Sequence, residues 1–119
     1  EIGIDFAGDP MMVSLSTVPN PNQIIFYIQN TGVHVMDETT LAVLVEGVNL
    51  NSASISTSYV PVISANWAPN VLLQVTLADA SLNGFAGNTE VSIYASARSV
   101  SVAGITMSTS LNEEVRLSE

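Results

Sequence analysis

The chain contains no cysteine and no lysine, and its only cationic side chains are Arg98 and Arg116. The absence of cysteine excludes disulfide bonds and thiolate chemistry. Eleven carboxylates outweigh the two arginines and give a formal net charge of −9 at pH 7. Because nucleic acids and anionic membrane surfaces are bound by clustered lysine and arginine, both are disfavoured as partners.

Charge of either sign is scarce. Charged residues make up 11% of the sequence, whereas soluble domains average about 25%. Serine, threonine and asparagine take their place, a composition that predicts a location outside the cytoplasm. The 119 residues fit one domain, and no apolar run approaches the ~20 residues of a membrane-spanning helix. The chain begins at Glu1 without an initiator methionine, and we expect it to be a trimmed part of a longer protein.

No segment shows helical periodicity, whereas alternation with a period of two recurs along the chain. The segments "SASISTSYV" and "NVLLQVTLA" illustrate it: the first places serines on one face, and the second places Val71, Leu73, Val75 and Leu77 on one face. About seven such segments, separated by turn residues, predict an all-β domain: an immunoglobulin-like antiparallel β-sandwich of seven to eight strands spanning residues 1–119. "QIIFYIQ" is apolar on both faces and is predicted to be central or covered.

Turn chemistry marks the connections between these segments. Gly32 is expected to end the segment "QIIFYIQ" by adopting a positive φ, and Ala103 with Gly104 is expected to form a hairpin tip. The segments that begin at Asp37 and Asp79 are interpreted as short capped turns. Asn83 and Gly84 carry a hairpin signal, which would place Phe85 at the rim of the hairpin.

The sequence offers no convincing catalytic or metal site. His34 is the sole histidine, whereas a transition-metal site needs several nitrogen or sulfur ligands. Two adjacent carboxylate pairs are interpreted structurally, Asp37–Glu38 as turn caps and Glu113–Glu114 as a solvated tail. Trp67, the only tryptophan, is interpreted as a core anchor at one end of the domain. We therefore predict a protein that is not an enzyme and has no cofactor.

The segment "YVPVISANW" predicts an interaction surface. Pro61 is compatible with an edge strand but not with a central one. An apolar edge without a lysine must be covered, either by a loop or by a partner subunit. The predicted interface consists of Tyr59, Val60, Val62, Ile63 and Phe85.

Several short motifs resemble the FlaF and FlaG stator proteins of the archaellum, the archaeal flagellum. A strand ending in Asn-Thr-Gly (residues 26–32) is followed by a strand ending in glycine (residues 41–47). A Trp-Ala-Pro step (residues 67–69), a strand at residues 73–77 and the glycine hairpin tip follow. The resemblance spans about residues 24–110.

This resemblance implies an immunoglobulin-like domain outside the cell membrane that holds the archaellum motor to the envelope or surface layer. It also implies that an N-terminal transmembrane helix anchors the full-length protein, and the start at Glu1 agrees with the removal of such a helix. It implies partners of the same kind: further copies of the chain, and other archaellum or surface-layer proteins. Two alternatives stay open, a filament subunit of the archaellin or pilin type and a carbohydrate-binding surface module.

Overall fold

A computed structural model describes residues 2–7, 13–16, 22–60, 63–101 and 103–118. Nine β-strands lie in this part of the chain, and two 3-10 turns join them, at Ser52–Ser54 and Ala80–Leu82. The strands are β1 (Ile4–Phe6), β2 (Val13–Ser16), β3 (Gln23–Asn30), β4 (Met36–Val45), β5 (Val48–Asn49), β6 (Ile55–Val60), β7 (Leu72–Ala78), β8 (Glu90–Ser99) and β9 (Ser108–Ser118). The predicted all-β class is confirmed.

The strands form one curled, mixed sheet. Their order is β5-β4-β8-β9-β2-β3-β7-β6, and β1 pairs separately with β3. All pairs are antiparallel except β2 with β9, which run parallel at Val13–Leu117 and Ser14–Ser118. The predicted antiparallel pairing holds for every other pair of strands. The parallel pair was not predicted, because these two strands lie near opposite ends of the chain and no local signal encodes their pairing. That the curled sheet divides into the two packed layers of an immunoglobulin-like sandwich stays a prediction.

One hydrophobic cluster fills the inside of this sheet. Its members come from both ends of the strand order, for example Val43 on β4, Ile93 on β8 and Leu73 on β7, all fully buried. The period of two determines which residues face inward: Ile24, Phe26 and Ile28 are buried on β3, as an alternating strand requires. The predicted central position of β3 is confirmed by its pairing with β1, β2 and β7.

The two edges of the sheet approach each other. A bulge interrupts the pairing of β4 with β8 between Asp37 and Ala42. From this bulge, Glu38 meets Thr57 of the opposite edge strand β6, with Oε2 3.3 Å from the threonine Oγ1. Nearby, an isolated antiparallel β-bridge joins Met36, at the start of β4, to Trp67, in the loop between β6 and β7. The sheet thus curls far enough to enclose its core.

Two hairpin turns depend on glycine. Glu46 and Gly47, with φ of 51° and 79°, form the two-residue loop between β4 and β5, as a type I′ turn requires. Ala103 and Gly104, with φ of 53° and 80°, form the turn between β8 and β9, which confirms the predicted hairpin tip. Ala53, by contrast, belongs to a 3-10 turn rather than to the predicted strand, because Asn51 caps that turn through its side chain.

Asn83 and Gly84 do not form a hairpin. The strand before them, β7, pairs with β3 and β6, whereas the strand after them, β8, pairs with β4 and β9. The connection therefore crosses between the two ends of the sheet order. Its 3-10 turn is capped by Asp79, whose carboxylate accepts hydrogen bonds from the Ser81 amide at 3.0 Å and hydroxyl at 2.5 Å.

Candidate functional site

The Asn-Thr-Gly segment that ends β3 is a structural junction. Gly32 lies outside the left-handed region, since Gly47 and Gly104 are the glycines with positive φ among the described residues. The turn is formed instead by Asn30, whose Oδ1 accepts a hydrogen bond from the Gly32 amide at 2.9 Å. The expectation that glycine conformation ends this strand is wrong, because an asparagine side chain can close such a turn by itself.

Asn30 also connects this turn to the tryptophan loop. Its side chain is fully buried, and its Nδ2 donates to the carbonyls of His34 at 2.8 Å and Trp67 at 3.0 Å. The Met36 amide donates to the same Trp67 carbonyl at 3.0 Å. Trp67 is fully buried, and its indole Nε1 donates to the Val71 carbonyl at 3.0 Å. The interpretation of Trp67 as a core anchor is confirmed.

His34 and the carboxylate pair Asp37–Glu38 lie in or beside turns. His34 is half-buried in the loop after β3. Asp37 caps the β4 bulge by accepting hydrogen bonds from the Thr39 amide at 3.1 Å and hydroxyl at 2.6 Å, which confirms its interpretation as a turn cap. Within the described ranges, no group of three histidine, aspartate or glutamate residues is placed to hold a metal ion.

Glu113 and Glu114 do not form a tail. They lie in the middle of β9, paired with Ile93 and Ser92 of β8, and both are exposed. The two adjacent charges concealed the alternation of Leu111, Val115 and Leu117, which are buried on the same strand. Because Glu113 shares their parity, it takes an inward position of the strand and is nevertheless exposed.

The structure separates the predicted interface residues. Val60 is 38% exposed at the end of β6, and Ile63 is 88% exposed three residues farther along the chain. Tyr59 is half-buried against the core. Val62 and the neighbouring Pro61 lie outside the described residues.

Phe85 lies at the other end of β7 from Val60. Val60 is paired with Leu72 at the start of this strand, and Phe85 lies beyond its end, where its carbonyl accepts from Asn22 Nδ2 at 3.3 Å. The length of β7 separates the two by roughly 20 Å. Phe85 is half-buried and packs against the core.

The outer face near Val60 carries an apolar depression that the sequence did not reveal. It has a volume of about 370 Å³ and is lined by Ala7, Tyr27, Val60 and Leu72. Tyr27 is 38% exposed although it lies on the central strand β3. The sequence signal for this depression was the presence of apolar residues on both faces of "QIIFYIQ". When nothing covers the outer face of a central strand, the apolar residues on that face are exposed.

β6 is an edge strand, as Pro61 indicated. It pairs with β7 alone among the described strands. Near its middle the edge faces the β4 bulge, with a crevice of about 190 Å³ lined by Glu38, Thr39, Leu41, Ser52, Ile55 and Thr57. Burial raises the pKa of Tyr59, and the negative charges of Glu38 and Asp37 raise it further. The bulge thus approaches the edge up to Tyr59, while Val60 and Ile63 remain exposed.

The chain has no significant match among protein-family models, curated proteins or solved structures. Within the described ranges, no helix has the length and apolar character needed to cross a membrane.

Proposed function

We propose that this chain is a non-enzymatic structural domain that lies outside the membrane and anchors the archaellum motor to the cell envelope or surface layer through protein–protein contacts. The observation that carries the proposal is the apolar depression at the end of edge strand β6, lined by Ala7, Tyr27, Val60 and Leu72. Ile63, three residues farther along the chain, is also exposed. The short motifs shared with the FlaF and FlaG proteins supply the biological setting.

The chemistry of this surface favours a protein partner. Val60 and Ile63 carry no charge, and the chain has no lysine with which to protect an edge strand. When a partner covers exposed apolar side chains and excludes water from them, the free energy of the complex is lowered. A second copy of the chain is the simplest partner, and a specific contact would bury at least about 1,000 Å².

Sedimentation velocity tests the self-association. We expect the wild type to associate as its concentration rises and Val60→Lys to stay monomeric, because a lysine both charges the surface and blocks edge pairing. The matched control is Val48→Lys, which places the same charge on a 49% exposed valine of β5 at the other end of the strand order. Strictly monomeric behaviour of all three proteins at high concentration would rule out this surface as a self-association site.

The position of the protein in the cell separates an anchor from a filament subunit. Immunogold labelling of cells with an antibody against this domain is expected to mark the filament base and the surrounding envelope. Labelling along the whole filament would overturn the anchor function in favour of the archaellin-like alternative.

A further inference from the structure

A second depression lies on the outer face of β8, away from the apolar surface. It has a volume of about 310 Å³, at the lower end of the range for small-molecule sites. It lies where the β4 bulge interrupts the pairing with β8, so that the bulge forms one wall and β9 forms the other. The lining residues are Thr40, Tyr94, Ser96, Ala97, Arg98, Ser108, Thr109 and Ser110.

Arg98 is an unpaired cation in an acidic protein. The other arginine, Arg116, lies 3.4 Å from Glu90, which is the only ion pair in the described part of the chain. Asp37 is the residue of β4 paired with Arg98, but its carboxylate is held by Thr39 at the bulge. The Arg98 guanidinium therefore has its hydrogen-bond donors available for an anion.

The remaining lining is rich in hydroxyl groups that are available for a ligand. Within the described ranges, the hydroxyls of Ser96, Ser108 and Ser110, which lie on the outer face, make no hydrogen bond to the protein. Each can donate one hydrogen bond and accept others. Tyr94, 37% exposed, adds an aromatic face beside them. A ligand that matches this lining has several hydroxyl groups, an apolar ring face and a negative charge.

We propose that this depression, the β8 trough, binds a sugar unit that carries a carboxylate. Arg98 pairs with the carboxylate in the two-pronged geometry that guanidinium groups favour. The serine hydroxyls bind the sugar hydroxyls, and Tyr94 packs against the ring. One guanidinium balances one negative charge, and the net charge of −9 opposes multiply charged anions such as phosphate esters. This site is separate from the apolar surface, so neither depends on the other.

Amide NMR shifts of the whole chain during titration with glucuronate test the site. We expect shifts concentrated at residues 94–98 and 108–110, with a Kd on the order of 1 mM, as befits a shallow site with a single charge pair. Glucose and acetate, at matched ionic strength, each reproduce part of the ligand and are expected to bind at least about tenfold more weakly, a loss of about one hydrogen-bonded contact.

Two variants separate the roles of charge and hydroxyl groups. Arg98→Gln is expected to weaken glucuronate binding about tenfold, whereas Arg116→Gln, which removes the other positive charge, is expected to leave it unchanged. The double variant Ser96→Ala with Ser110→Ala is expected to weaken glucuronate but not acetate. Thermal melts check that each variant is folded.

Three results would overturn the proposal. Absence of shifts in the β8 trough at about 20 mM glucuronate, far above the expected Kd, would exclude the site. Equal binding of acetate and glucuronate would show that Arg98 attracts any carboxylate and that the trough does not recognise the sugar. Equal loss of binding in Arg98→Gln and Arg116→Gln would show that net charge, rather than the trough, attracts the ligand.

Discussion

Asn30 shows how a single buried polar residue can organise a region without any chemistry of its own. Its side chain satisfies three backbone groups, those of Gly32, His34 and Trp67. Buried polar groups are stable only when they are paired, and here one amide closes a turn and fixes the tryptophan loop at once. The Asn-Thr-Gly motif is therefore explained by folding.

Asn30→Ala is expected to lower the free energy of unfolding by about 3 kcal/mol, because backbone groups in a buried region lose their partners. Asn30→Asp keeps an acceptor for Gly32 but loses both donated hydrogen bonds, so it is expected to be destabilising as well. Urea denaturation followed by tryptophan fluorescence measures the change. An alanine variant as stable as the wild type would show that water replaces the whole network.

At the scale of the element, the edge strand β6 and the part of β9 that pairs only with β8 are protected differently. The edge strand β6 has an apolar end, whereas β9 carries Glu113 at an inward position between Leu111 and Val115. β2 pairs with β9 only at the last residues of β9, Leu117 and Ser118. From Ser108 to Arg116, β8 is the only described strand that pairs with β9. A charged side chain on such a segment is a known protection against edge-to-edge pairing.

Glu113→Val is expected to increase association and aggregation, because it removes that charge from the β9 segment and adds a strand-favouring apolar residue. Glu113→Gln removes the charge but stays polar and serves as the matched control. Light scattering at rising protein concentration compares the two variants with the wild type. If Glu113→Val remained as soluble as the control, the carboxylate would have no protective role.

At the scale of the whole molecule, acidity dominates the electrostatics. The single ion pair of the described residues, Arg116 with Glu90, is exposed and adds little stability. Ionised carboxylates therefore contribute mainly mutual repulsion. Asp79 is an exception, since hydrogen bonds from Ser81, and also from Ser54, lower the pKa of its carboxyl. Its stabilising effect is present above the ordinary pKa and is lost as the pH falls through the lowered value in the folded protein.

We expect the thermal midpoint at pH 3 to equal or exceed that at pH 7. At pH 3 about one of the eleven carboxylates stays ionised, so most of the repulsion is gone, and the opposing loss at Asp79 is a single local effect. Association is expected to be stronger in acid for the same reason. Melts at matched ionic strength test this, with Asp79→Asn to isolate the opposing effect: it should destabilise the protein more at pH 7 than at pH 3. A markedly lower wild-type midpoint at pH 3 would show that ionised carboxylates hold the fold together.

The sequence by itself determined the all-β class and which side chains of β6 and β7 face inward, because strand alternation is a local property of neighbouring residues. It also determined the capped turns at Asp37 and Asp79, since an aspartate caps a turn through residues only two positions away. Tertiary structure decided the rest. The parallel pairing of β2 with β9, the distance between Phe85 and Val60, and the place of Glu113 inside a strand all depend on contacts between residues far apart in the chain. The β8 trough likewise exists only because the bulge in β4 interrupts its pairing with β8. The alternation of residues along the sequence does not indicate where the pairing of two distant strands is interrupted.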